Sequence, residues 1–492
     1  MATYHGGGSA SLAAYYAVTP FDGISSKLES LPEYTVGAYS HKSLPLLGSV
    51  LTTGSGTPGM TMRAYREHHS VSARQVQEEI HISKTELLFV DYYHENLSGE
   101  WYADLDGSLV VDEDCEWELG LMVCGTATLY VNDDLIVDNA TDQCMGESFF
   151  GQGTVEVRGR VQFKKGETYK IKVHYGSSPT SKLSENHTLL PGGALRVGGC
   201  KVIDGKGEIA QATALAKAAD QVVICAGLNS DWETEGYDRE NMDLPGYLDE
   251  MIMAVAEANL NTVVVMQSGT PVRMPWAGKV PAIVQAWYGG NETGNCIADV
   301  LFGDVNPSGK LSLSFPVRIQ DNPAFLNFRT EGGRTIYGED VYVGYRYYEF
   351  ANLPVLFPFG HGLSYTNFEF SDLSVTEKQS TLSVGLSVKN VGPVHGAEVV
   401  QVYVSPKTKA KVNRPLKELK GFAKVELAAG ETRRVLVEVE TKYAVSYWDE
   451  ERDQWCGEKG EYEVIASDSS YITERTLRMS FSVDETFWWT GL

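Results

Sequence analysis

The stretch "QVVICAGLNSDWETEGYDRE" (221–240) joins two textures. Its first seven residues are a short, continuous apolar run, the pattern of a strand buried in a parallel sheet. Its last twelve hold five carboxylates, Asp231, Glu233, Glu235, Asp238 and Glu240, with Trp232 and Tyr237 among them. Helical spacing precedes the run at 207–220 and returns at 247–259. "TVVVMQ" (262–267) and "AIVQAW" (282–287) are two more buried-type strands, and "NCIADVLFG" (295–303) reads as another helix. Alternation of this kind predicts an α/β domain built on a parallel sheet.

Outward from that core the texture changes. "EWELGLMVCGTATLYVNDDLIVDN" (116–139) is strand, turn, strand, with the turn at Asn132-Asp133-Asp134. Asp133 and Asp134 are also calcium-ligand types, but a hairpin turn explains them more simply. "TVEVRGRVQFKKGETYKIKVHYG" (154–176) continues the β pattern through a Lys-Gly-Glu turn. Gly/Ser/Pro-rich stretches flank this module at 51–59, 176–186 and 191–199. The prediction is a β domain at 56–199 inserted into an α/β domain made of 1–55 and 200–368. Residues 369–492 alternate with period two again, as in "STLSVGLSVKNVG" (380–392) and "TRRVLVEVE" (432–440), which suits an immunoglobulin-like sandwich.

Composition limits the partners. Lys plus Arg is 41 and Asp plus Glu 65, a formal charge of −24, which repels phosphate backbones and anionic membranes. No apolar run is long enough for a transmembrane helix. The opening "MATYHGGGSASLAAYY" lacks a basic segment leading into an apolar one, so the expectation is an intracellular, cytoplasmic chain. Seven cysteines without a Cys-x-x-Cys pair argue against a disulfide framework and a zinc site. Cys225 and Cys296 sit in apolar contexts and are expected to be buried, inert thiols. The histidines show no ligand spacing, so neither metal nor cofactor is predicted. Sequons at Asn96, Asn139, Asn186 and Asn291 occur at a frequency that chance supplies and carry no weight.

In open α/β sheets, ligands bind beyond the carboxyl ends of the strands. The loops after the three apolar runs should therefore share one crevice, lined by Asp231, Trp232, Glu233, Glu235, Arg273, Trp276, Trp287, Asn291 and Glu292. Carboxylates bond hydroxyls or transfer protons, and indole faces stack on sugar rings, so the set suits a sugar. Glu233 and Glu235 are two apart and would point the same way in an extended loop. Trp232 or Tyr237 could desolvate one of them and raise its pKa, as a general acid needs. An acidic loop can equally be a solvated surface, Asp238-Arg239 a local ion pair, and "GGNETG" (289–294) a plain tight turn instead of an anion site.

"GLNSDWETEGYDRENMDLPG" (227–246), "QSGTPVRMPW" (267–276), "QAWYGGNETGNCIADVLFGDVNPSGKLSLSFP" (285–316) and "YGEDVYVGYRYYE" (337–349) strongly resemble the fungal β-glucosidases of glycoside hydrolase family 3. "FPFGHGLSYTNF" (357–368), "RPLKELKGFAKVEL" (414–427) and "FWWTGL" (487–492) resemble the join to, and parts of, their fibronectin type III-like domain. "FGQGTVEVRG" (150–159) lies in an insert resembling a lectin-like module of protective-antigen type. The resemblance covers essentially the whole chain. It implies an α/β sandwich interrupted by a lectin-like β-sandwich and followed by the fibronectin-like one. It also implies that the insert hangs over the active-site entrance and shapes the aglycone side.

The family's acid/base glutamate lies in a Glu-Gly-x-Asp-Arg setting, which here is Glu235 before Gly236, Tyr237, Asp238 and Arg239. Its nucleophilic aspartate lies on an N-terminal (β/α)-barrel, in a Ser-Asp-Trp setting. The expectation is that this chain lacks the barrel and that Ser230-Asp231-Trp232 matches the nucleophile motif by coincidence. Three functions then follow from the resemblance. Glu235, helped by Asp231 or Glu233, performs acid/base chemistry on a small molecule; a separate barrel chain completes a β-glucoside hydrolase; or the chain binds sugar without turnover. The surface that meets a barrel in the family must be apolar, so a homodimer or a barrel chain is expected to cover it.

Overall fold

The computed structural model describes residues 3–11, 14–183 and 190–491. The sequon at Asn186 and the end of the 176–186 loop lie outside them. Three strands, Val222–Gly227, Thr262–Gln267 and Ala282–Gln285, form a parallel sheet in chain order. Their β-branched runs pair in register, Val222 against Thr262 and Val263 against Ala282. Helix Leu248–Ala258 buries Leu248, Met251, Ile252, Val255 and Ala256, the stripe that a 3.6-residue period places on one face. That stripe packs with Ala212 and Ala216 of helix Gly205–Ala218 and with Val264, Met266 and Trp276. Helix Pro20–Ser26, opened by a Thr19/Asp22 capping box, lies against helix Thr293–Phe302, with Gly23 close on Gly294.

The expected burial is corrected for Cys225 and Cys296, which are exposed, although desolvation by its surroundings pushes the Cys225 thiol up to about 11, in keeping with an inert thiol. The first parallel strand is an edge strand, and burial alternates along it: Ile224 and Ala226 are buried while Cys225 faces outward. On helix Thr293–Phe302 the buried face is Thr293, Gly294, Ile297 and Ala298, which leaves Cys296 on the solvent side. All seven cysteines are free thiols.

Between Met60 and Lys201 the chain forms two antiparallel sheets. One has six strands, ordered Glu78–Ile82, Met60–Tyr65, Tyr102–Val110, Thr168–Gly176, Thr126–Val131 and Asp134–Asn139. The other has four, ordered Glu86–Leu88, Ala194–Lys201, Cys115–Cys124 and Val157–Phe163. Leu105, Leu121, Leu129, Val173 and Val197 fill the space between them. The expected hairpin turn is present: Asn132 and Asp133 take φ of 49° and 73°, the two left-handed residues of a tight type I′ connection. After Phe368, sheets of three and four antiparallel strands enclose a second apolar core around Leu386, Val400, Val402 and Val464.

On the six-stranded sheet, the chain after Tyr65 folds back over the strands. The His69 ring stacks on His174 at 4.6 Å and lies 3.8 Å from His68. Asp104 receives His174 at 2.6 Å and Arg74. Burial alone would raise the Asp104 carboxyl, but His174 and Arg74 outweigh it and hold it at about 2. Burial, then His68 and His174, push the His69 imidazole down to about 4. Both values are depressed in the folded state, so both groups stabilise it at higher pH and cease to as pH falls. We expect amide protection of this face to fall first between about pH 6.5 and 4 with His69, then between about pH 4 and 2 with Asp104. Hydrogen exchange across that range checks this, and His69→Gln should remove the first step alone.

Candidate active site

The loops after the three parallel strands meet at one edge of the sheet, and Glu233 ties them together. Its carboxylate accepts hydrogen bonds from the Gly269 N–H at 2.7 Å, the Thr270 hydroxyl and the Tyr288 hydroxyl. Burial, and then Glu233 itself, push the Tyr288 hydroxyl far above the ordinary tyrosine value, which keeps it a donor. Arg239 is half-buried and donates to the Thr270 hydroxyl at 3.2 Å and to the Asp243 carbonyl at 3.1 Å. The expected Asp238-Arg239 ion pair is therefore replaced by contacts across loops. The carboxylate loop is not extended either: the N–H groups of Trp232 and Glu233 both return to the Asn229 carbonyl at 3.0 Å. In this turn Glu233 and Glu235 bond to different elements, not along a common face.

Asp231 faces the insert, and Trp232 packs on the α/β core and the segment that leads into the insert. Asp231 lies 3.8 Å from Arg196, on strand Ala194–Lys201, and 3.4 Å from the Ser43 N–H. The Trp232 indole N–H donates to the Ser40 carbonyl. Lys42 stands 5.9 Å above both the Trp232 and Tyr237 rings and pairs with Glu147 of the insert at 2.8 Å. Tyr237 is half-buried, and its buried hydroxyl has no hydrogen-bond partner among the described residues. The same insert loop carries Phe149 and Phe150, both left-handed at φ 53° and 60°. The Phe150 ring comes to 3.9 Å from where a β-carbon on Gly236 would stand.

Glu235 differs from its neighbours. It is exposed, and its carboxylate accepts the Ser9 N–H at 2.8 Å. Ser9, through its hydroxyl and its backbone N–H, holds the carboxyl below the ordinary glutamate range.

Several predicted crevice residues lie elsewhere. Trp276 is wholly buried in the α/β core with its indole N–H on Asp249 at 2.8 Å, so it is a packing residue. Trp287, at φ 55°, packs edge-on against Phe315. Arg273 turns to Asp243 at 2.5 Å and toward Asp249. The Asn291 carbonyl takes the Val18 N–H, and Glu292 takes the Tyr16 hydroxyl at 2.6 Å and the Asn295 amide. Conversely, Ser9, Lys42, Phe150 and Tyr288 escaped the sequence reading. The adjacent aromatics in "ESFFGQG" (147–153) were a usable signal, whereas Ser9 and Tyr288 lie far along the chain from the loop they touch. Among the described residues no three His, Cys, Asp or Glu side chains converge as a metal-holding group.

The chain as a whole is similar to known proteins. The glycosyl hydrolase family 3 C-terminal domain matches residues 1–365, and a fibronectin type III-like domain matches 398–470. The probable beta-glucosidase I of Aspergillus oryzae is 48% identical over 503 residues, covering 100% of this chain and 60% of that protein. That of Aspergillus terreus is 50% identical with the same coverage. Among solved structures, the β-glucosidase from Kluyveromyces marxianus in complex with glucose superimposes with a TM-score of 0.92 at 45% identity, over 100% of this chain and 59% of its own. DesR, a β-glucosidase from Streptomyces venezuelae in complex with D-glucose, gives 0.64 at 28% identity, over 96% and 54%. The chain thus spans about 60% of the length of the curated relatives it matches.

Two substitutions separate knot from core. Glu233→Ala strands the Gly269 N–H and the Tyr288 hydroxyl and should cost about 1–3 kcal/mol in denaturant unfolding, with faster amide exchange at 268–271 and 287–290. Trp276→Ala should cost about 3–5 kcal/mol, the mark of a core residue.

Proposed function

This chain belongs to glycosyl hydrolase family 3, and we propose that it carries the proton-transferring part of a β-glucoside-cleaving site, with Glu235 as acid/base. The observation that carries the reading is the division of labour among the loop's carboxylates. Glu233 is saturated by three donors, and Asp231 is turned to Arg196 and Ser43. Glu235 alone of the three is exposed and able to reach a substrate.

Retaining glycosidases use two carboxyl groups about 5–5.5 Å apart, one nucleophile and one acid/base. With Asp231 and Glu233 engaged, the nucleophile is to come from the barrel that the family resemblance implies. Glu235 then protonates the leaving glycosidic oxygen, and in the second half of the reaction takes a proton from the attacking water. An exposed carboxyl below its ordinary range is poorly set to hold that proton by itself. A covering surface would desolvate it and raise its proton affinity. This favours a completed hydrolase over stand-alone acid/base chemistry on a small molecule. Exposed apolar side chains support such a cover: Tyr15 is 101% exposed, Leu326 92% and Tyr337 79%. The insert, read as lectin-like, would hold Phe150 on the aglycone side of the sugar.

Mixing the chain with a barrel chain from a family β-glucosidase should produce nitrophenyl β-glucoside cleavage that neither has alone. Glu235→Gln should lower it by about 10²–10⁴-fold. An unaffected Gln variant would remove Glu235 from the mechanism. In sedimentation at micromolar concentration, the chain should self-associate or take up the barrel chain. A clean monomer in both cases would sink the covered-face argument.

A further inference from the structure

The segment that reaches Glu235 runs across the whole sheet edge. The Gln267 amide, at the end of the second parallel strand, donates to the Thr3 carbonyl at 2.8 Å. The Gly290 N–H, after the third strand, donates to the Tyr4 carbonyl at 3.1 Å. The Gly7 N–H donates to the Glu233 carbonyl at 2.8 Å, and the Ser9 N–H to Glu235 Oε2 at 2.8 Å. Thr3–Ser9 is thus a strap anchored to the end of the second strand and to the loops that follow the first and third.

Two of its three glycines, Gly7 and Gly8, leave no room for a β-carbon. A β-carbon on Gly7 would stand 2.3 Å from Thr234 Oγ1 and 2.8 Å from the Ser230 carbonyl. On Gly8, at φ +73°, it would stand 2.3 Å from the Glu235 β-carbon and 2.9 Å from its backbone nitrogen. Glu235 is otherwise exposed, and Ser9 supplies the hydrogen bond on its carboxylate.

We propose that the Thr3–Ser9 strap is a positioning element for the acid/base carboxylate, fixing the orientation of its two oxygens. The inference rests on the reading of Glu235 as the proton-transferring residue. An N–H aimed at Oε2 leaves Oε1 free for the glycosidic oxygen or for water. It also opposes the desolvation that a covering surface brings, so the two together set the pH at which Glu235 holds its proton. The titratable groups on the surrounding elements are Tyr4 and His5 on the strap, Asp231, Glu233, Tyr237, Asp238, Arg239 and Glu240 on the same loop, Tyr288 after the third strand, and Lys42 with Glu147 at the insert.

The test is a carbon-13 carboxyl titration of the chain, with Glu235 assigned by difference against Glu235→Gln. In the unmodified chain Glu235 should titrate below the ordinary glutamate value. Ser9→Ala, at an exposed position that keeps the N–H, should move it part of the way up. Gly8→Ala, which forces the strap off, should return it to the ordinary value, with the remaining glutamates unmoved. In the barrel-complemented assay, Ser9→Ala should shift the alkaline limb of kcat/KM to higher pH without raising KM. A Glu235 that titrates normally in the unmodified chain, or stays put in both variants, would overturn the proposal. A low Glu235 titration beside an active Glu235→Gln enzyme would instead leave the clamp standing and sink the catalytic reading.

Discussion

The structure of this site depends on one carboxylate that performs no chemistry in the proposed reaction. Glu233 draws donors from two loops that are not its own, Gly269 and Thr270 after the second parallel strand and Tyr288 after the third. Past the end of the ladder, a backbone bond from the Arg273 N–H to the Met242 carbonyl at 2.7 Å joins the first two loops, and all three segments have little other direct backbone reason to stay together. A charge-assisted knot gives them one, and charged acceptors make the stronger hydrogen bonds. Arg239 extends the knot to the Asp243 carbonyl, and the Gly7 N–H seats the strap on the backbone of Glu233. The position of Glu235, two residues further on, follows from where that knot is tied.

Similar letters therefore do different work within a few residues. Asp231 looks to the insert, Glu233 inward across the loops, and Glu235 out to solvent under Ser9. Environment alone separates them, as when two carboxylates of one site are driven to different protonation states. A carboxyl that must alternately release and accept a proton has to be neither saturated with donors nor left to rotate. Of these three, Glu235 fits that description.

Much of the fold was legible. The β-branched runs at 222–227 and 262–267 form strands where the apolar pattern placed them, and the stripe on Leu248–Ala258 follows helical spacing. Asn132-Asp133 is a turn because those residue types tolerate left-handed backbone. The site was legible only in part, because its roles are settled by partners far along the chain. Trp276 reads as a sugar platform until Asp249, 27 positions away, takes its indole N–H inside the core. Periodicity says that Cys225 alternates with Ile224 and Ala226 but not which face of an edge strand is covered. Glu233 and Glu235 have the same local spacing, and only Gly269, Thr270, Tyr288 and Ser9 distinguish them.

The segment at 40–44 has a mechanical consequence. Ser40 holds Trp232, Ser43 reaches Asp231, and Lys42 bridges from Tyr237 to Glu147, while the Leu44 carbonyl takes Arg196 at 3.1 Å. The chain enters the insert through this segment and leaves it through the strand that carries Arg196, so both crossings grip the same acidic loop. The insert cannot swing as a free appendage. A tilt that lifts Phe150 away from Gly236 also pulls on Asp231 through Arg196 and on Lys42 through Glu147, so the acidic loop and the attitude of a whole β-sandwich form a single lever. Load applied at the far end of that sandwich is delivered as torque on the loop that carries Glu235.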